Sequence, residues 1–152
     1  MAMPGLAAPM RERIDAALFK ERLGRICLGP RPALPRNRRD RAILLRSAVL
    51  GLNTSTVYSE LEINLALQEW RRLVTPDLGT DHVQIRRTLV DEGFLGRTPD
   101  GQAYVVIESG TGRVFSFDEA VAELNPAAIV TARRRAIAAQ KAAHLARQRS
   151  GQ

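Results

Sequence analysis

Asp81-His82-Val83-Gln84-Ile85-Arg86-Arg87-Thr88-Leu89-Val90-Asp91-Glu92-Gly93 is the stretch on which the fold turns. Asp81 is a good N-cap with Gln84 three residues on, and Gly93 is a good stop. The stretch therefore predicts one short helix feeding a strand, Phe94-Leu95-Gly96-Arg97. At helical periodicity Val83, Ile85, Leu89 and Val90 share one half of its surface, and His82 and Arg86 fall in that same half. Gln84, Arg87, Thr88 and Asp91 point the other way, toward water or a partner. The adjacent arginines thus have opposite surroundings.

Upstream, Ser59 and Glu62 form a capping-box pattern that starts a second helix, with Ile63, Ala66, Leu67 and Trp70 as its inward stripe. Leu61 and Leu65 lie on another side and need a second contact surface. Before it comes a helix from Arg38 to Leu52, with Ile43, Leu44, Ala48 and Val49 as its apolar face. Arg36, Arg38, Arg39 and Arg41 crowd its start, where cations oppose the macrodipole. That placement suits an anionic partner, although a solvated face is the commoner explanation for such charge. Val57-Tyr58, after a polar turn, is short enough for one extended segment.

Downstream, Pro99-Asp100-Gly101 has the chemistry of a tight turn between 94–97 and 103–107. Ser109-Gly110-Thr111-Gly112 makes a second turn before Val114 to Phe117, so three short antiparallel strands are expected. Asp118 is placed to cap a short helix ending at Leu124. Asn125-Pro126 opens an alanine-rich helix to about Arg149, on which Arg133, Arg134, Lys141, His144 and Arg147 form a basic ridge. Alanine favours the helix but offers little area to bury, so this helix should dock weakly or project. At the other end residues 1–10 lack periodicity, Met10 to Leu23 predicts an amphipathic helix stopped by Gly24, and prolines make 25–36 a surface linker.

The totals bound the class. A chain of 152 residues without a long apolar run or a signal-peptide pattern is expected to be cytoplasmic, with no membrane partner. Cys27 is the only cysteine, which excludes an internal disulfide and a cysteine-based zinc site. The net charge of +7 is unevenly spread: residues 1–57 carry 11 basic and 4 acidic groups, 58–125 carry 6 and 12, and 126–152 carry 6 and none. An acidic body is flanked by basic ends.

Helix, short strand, helix, helix and hairpin is the element order of a winged helix, with the third helix as recognition helix and Asp100-Gly101 as wing tip. The pattern Leu34-Pro35, Arg38-Arg39, Tyr58-Ser59-Glu60, Glu62-Ile63-Asn64, Leu67, Asp81-His82, Ile85-Arg86-Arg87, Leu89-Val90-Asp91, Gly93, Leu95, Arg97, Asp100-Gly101 and Tyr104 resembles the bacterial family called domain of unknown function 2087, over about residues 34–107. Members of that family often follow a separate helix-turn-helix reader, and the resemblance implies a transcription-regulator context. Residues 1–33 are too short for such a reader. The expected class is α+β: an N-terminal helix and linker (1–36), a winged-helix-like domain (37–117) and a C-terminal helical extension (118–152).

Catalytic templates are missing: there is no GxSxG, no GK[ST] phosphate loop and no HxxxH pair, so neither an enzyme nor a metal or other cofactor is expected. An arginine aimed at an apolar face needs polar partners, and Tyr58, Glu60, Glu62, Asn64 and His82 are the expected network around Arg86, with a buried carboxylate at its centre. Two functional classes remain. One is a DNA-binding regulator that uses Gln84, Arg87 and Thr88 toward a groove and Arg36, Arg38, Arg39, Arg133, Arg134 and Lys141 toward phosphates. The other is a protein-interaction module that uses the acidic body and Leu61/Leu65. Where the flanking arginines sit relative to Arg87 separates the two.

Overall fold

Three helices form the centre because their apolar stripes converge. The computed structural model describes residues 12–108 and 114–151. The first central helix, Arg38–Val49, is capped by Asn37, whose side chain accepts from the Asp40 N–H. Every residue from Ala42 to Val49 is buried, so this helix is the hub of the core. The helices Glu60–Val74 and His82–Asp91 add Ile63, Leu67, Trp70, Val74, Ile85 and Leu89. In chain order the elements are β1 (Glu12–Ile14), α1 (Ala16–Ile26), α2 (Arg38–Val49), β2 (Tyr58–Ser59), α3 (Glu60–Val74), α4 (His82–Asp91), β3 (Leu95–Arg97), β4 (Ala103–Val106), β5 (Phe115–Phe117), a 3-10 turn (Glu119–Glu123) and α5 (Pro126–Ser150). The class is mixed α+β.

The predicted terminators of α3, α4 and the β3–β4 turn hold in detail. Ser59 and Glu62 complete the reciprocal capping box. Asp81 accepts from the Gln84 N–H. At the end of α4, Gly93 takes a left-handed conformation (φ 81°), its N–H reaches the Val90 carbonyl and the Phe94 N–H reaches that of Leu89. That pair of bonds is the Schellman closure, and it turns the chain directly into β3. Gly101 also needs positive φ (73°), which the tight turn between β3 and β4 demands.

The sheet departs from expectation. β3 and β4 pair antiparallel, and their third partner is β2, in the order β2-β4-β3 with Tyr58 opposite Tyr104. β5 does not extend that sheet. It pairs parallel with β1, Ile14 opposite Phe117, a contact across most of the chain that local turn chemistry cannot announce. The Ser109–Gly112 turn, like residues 1–10, lies outside the described residues.

The N-terminal helix starts at Ala16, capped by Asp15, later than the periodicity from Met10 indicated, because Glu12–Ile14 is extended against β5. Nor does Gly24 end it. The helix runs to Ile26, and Gly24 lets α5 come close, since a Cβ there would meet the Arg133 side chain at 3.3 Å. The stretch 25–36 is tied to the body at Arg31, which bridges Leu78 and whose carbonyl accepts from the Gly79 N–H at 2.6 Å. Asp118 occupies a cap position without capping; its carboxylate pairs with Arg13 instead. Ile14, Phe19, Leu23 and Ile26 from the N-terminal part, and Val121 and Val130 from the C-terminal part, join the same core as α2, α3 and α4. One core therefore spans all three segments of the chain. Among the described residues no helix is long and apolar enough to cross a membrane.

Candidate nucleic-acid interface

α4 lies between α3 and β3, which leaves a narrow strip of it open. Asp81, Gln84, Arg87 and Asp91 are on that strip, and Arg87 has neither ion pair nor hydrogen bond among the described residues. Thr88 is not on it. The expected exposure of Thr88 is corrected by its 5% accessibility: its hydroxyl donates to the Gln84 carbonyl at 2.8 Å, closing onto the helix itself. A helix flanked on two sides buries more of its circumference than its apolar stripe alone indicates.

Arg86 goes inward, as periodicity requires, at 9% exposure. Its Nη1 donates to Asn64 Oδ1 and lies 3.3 Å from a Glu60 carboxylate oxygen, and its guanidinium stands 5.9 Å from the Tyr104 ring centroid. The expected six-residue network is therefore smaller and differently composed. Glu62 is held in the capping box and Tyr58 accepts from the Asn53 N–H at 2.6 Å, so neither serves Arg86. His82 is half-buried, with no hydrogen bond to Arg86. The carboxylate is not buried either: the Glu60 side chain is 49% exposed. Tyr104 is the partner that residue types did not reveal, because it arrives through β4 pairing beside the α3 N-terminus.

The flanking cations divide. Arg41, in the first turn of α2, pairs with Glu92 at the C-cap of α4 at 2.8 Å. This sets the arginine-rich start of α2 beside the end of α4, with Arg36 and Arg38 exposed and Arg39 half-buried. Asp40 sits in the same turn, where its charge softens the conflict between those cations and the macrodipole. It takes a two-pronged bond from Arg22 at 2.9 and 2.7 Å. On α5, Arg133 packs over Gly24 and Arg134 reaches the Cys27 carbonyl at 3.4 Å, so these two dock α5 on α1. Arg31 caps the same helix end through the Ile26 carbonyl at 2.9 Å. Cations at a helix C-terminus are favoured by its dipole, so Arg31, Arg133 and Arg134 are structural there. From Arg134 to Ser150 all of α5 is exposed, with Lys141 and Arg147 free of ion pairs among the described residues and His144 bonded to Gln148 at 3.1 Å.

Burial pushes the Cys27 thiol up to about 11, the picture of a packed hydrophobe rather than a nucleophile. Among the described residues no three His, Cys, Asp or Glu side chains converge to hold a metal ion.

Residues 32–106, just under half of the chain, match the family model described as "uncharacterized protein conserved in bacteria (DUF2087)", so this part of the chain is similar to a bacterial domain of unknown function. The matched span starts just after Arg31 and runs through β4, and so takes in α2, α3, α4 and the three-stranded sheet. Comparison with curated proteins and with solved structures finds no significant match.

Proposed function

We propose that the protein is a non-catalytic, winged-helix-like DNA-binding regulator, with α4 as the recognition helix, the β3–β4 turn as the wing and the start of α2 as the phosphate anchor. The α2-β2-α3-α4-β3-β4 order and the β2-β4-β3 sheet support the winged-helix description. The single observation that carries the DNA reading is the Arg41–Glu92 ion pair, which sets the start of α2, with the exposed Arg36 and Arg38, beside the C-terminal end of α4, the helix that carries Arg87. Cations so gathered can hold phosphates while Gln84 and Arg87 face base edges, and they offset the negative body. The projecting half of α5 adds Lys141, Arg147 and Arg149 as a second, separate contact to the backbone.

Fluorescence anisotropy with a labelled duplex tests this. If about five phosphates are neutralised, the logarithm of the binding constant falls against the logarithm of salt with a slope near −4.5. Arg38→Ala should weaken all duplexes alike and flatten the slope by about 0.9. Removing residues 137–152, which are all exposed or terminal, should flatten it further without touching the core. Arg87→Ala should weaken a selected duplex more than a random one. No binding at low salt refutes the proposal.

That result would favour the second reading, a protein-interaction module. It has its own observation: Leu61 and Leu65 stand 67% and 56% exposed side by side on α3 within the acidic body.

A further inference from the structure

On α2, Arg41 reaches α4 and Arg46 reaches β5. Arg39 and Arg46 are two turns apart, with Ala42 between them, and so lie along one side of the helix. Arg46 is only 8% exposed, yet among the described residues its guanidinium has no hydrogen bond and no ion pair. Its Nε, like that of Arg39, is buried without a partner. The contact that does hold Arg46 is the Phe117 ring, whose centroid lies 5.9 Å from the guanidinium carbon. Phe117 is itself fixed by Phe19 and Phe94, at centroid separations of 6.2 and 6.4 Å. The side chain is thus held against an aromatic face and has no ion pair among the described residues.

Glu108 attracts Arg46 from outside ion-pair distance, and burial pulls the guanidinium's pKa down. A buried guanidinium nitrogen without a hydrogen bond is uncommon in folded proteins because its desolvation is not repaid, and Arg46 shares this feature with Arg39, Arg71 and Arg133. A planar fork of donors backed by an aromatic face is also the arrangement that grips a carboxylate or phosphate by two oxygens.

We propose that Arg46, with Phe117 behind it, forms a binding site for the oxyanion group of a small molecule. The site is independent of the DNA reading, since Arg46 stacks on β5 whereas Arg41 is the residue that faces α4. Either a phosphate or a carboxylate meets its chemistry.

Thermal unfolding of the full chain in inorganic phosphate, in benzoate, and in chloride at matched ionic strength tests the site and separates the two sources. One of the two oxyanions should raise the wild-type Tm saturably, by about 3–6 °C at ten times its Kd. Arg46→Met should abolish the saturable part and keep only the non-saturating rise that excluded salts give any protein. Arg46→Lys, which keeps charge and stem but loses the fork, should lose most of it and serves if the methionine variant does not fold. In chloride Arg46→Met should melt at or above the wild type, because it removes an uncompensated charge. Equal responses of wild type and both variants overturn the proposal. So does a drop in chloride shared in size by Arg46→Met and Glu108→Gln, which would make Glu108 the partner of Arg46.

Discussion

Replacing Arg86 by alanine is the sharpest test of how α4 is seated. The bond from a charged donor to Asn64 contributes about 1.5 kcal/mol and stacking over Tyr104 about 0.5–1. The ion pair with Glu60 is worth less than about 1 kcal/mol, because a half-exposed carboxylate is well screened and rehydrates when its partner goes. The loss should therefore total about 2–3 kcal/mol, below the value of about 3 or more that a truly buried carboxylate would impose. With a urea m-value of about 1.5–2 kcal/mol/M, the denaturation midpoint should fall by roughly 1–2 M. Arg87→Ala should change stability by less than about 0.5 kcal/mol, since that side chain contacts solvent. Double-mutant cycles should give Arg86 a larger coupling to Asn64 than to Glu60. Equal midpoints for the two arginine variants would refute the seating of α4. A Glu60→Ala cost matching that of Arg86→Ala would refute the dominance of Asn64 and Tyr104 among the partners of Arg86.

Gly79→Ala should destabilise by about 1–3 kcal/mol, because a Cβ there would lie 2.4 Å from the Pro32 carbonyl oxygen, a backbone atom that cannot simply rotate away. Chemical denaturation of the variant checks it. Ser59 holds the Glu62 carboxyl below the usual carboxylate range through its backbone N–H and hydroxyl. A depressed carboxyl stabilises above its unfolded pKa and loses that contribution as pH falls through the folded one. The Tm advantage of wild type over Glu62→Ala should thus be present at neutral pH and shrink in acid, as pH-dependent melting would show. Cys27 should resist alkylation at about pH 8 in the native state and react once the chain is unfolded, as mass spectrometry after iodoacetamide would report.

Elements whose causes are local were legible in the sequence. Ser59 and Glu62, Asp81 and Gln84, Gly93, Pro99-Asp100-Gly101 and Asn125-Pro126 each act within a few residues, and each begins, ends or turns an element as their chemistry requires. The inward Arg86 and outward Arg87 followed from helical period alone. What periodicity could not supply was the number of neighbours around a helix, and so the burial of Thr88 was not legible: it depends on what flanks α4. Only tertiary structure brought Glu12–Ile14 to β5, Tyr104 beneath Arg86, Arg133 over Gly24 and Arg41 to Glu92. These partners lie far apart along the chain, and nothing in either member of a pair names the other. Sequence therefore determined where α2, α3, α4, α5 and the β3–β4 turn are, and most of the residues that seek burial. Packing decided which arginines hold the molecule together and which are left for a partner, because a guanidinium takes whichever carbonyl, carboxylate or ring the fold brings within reach.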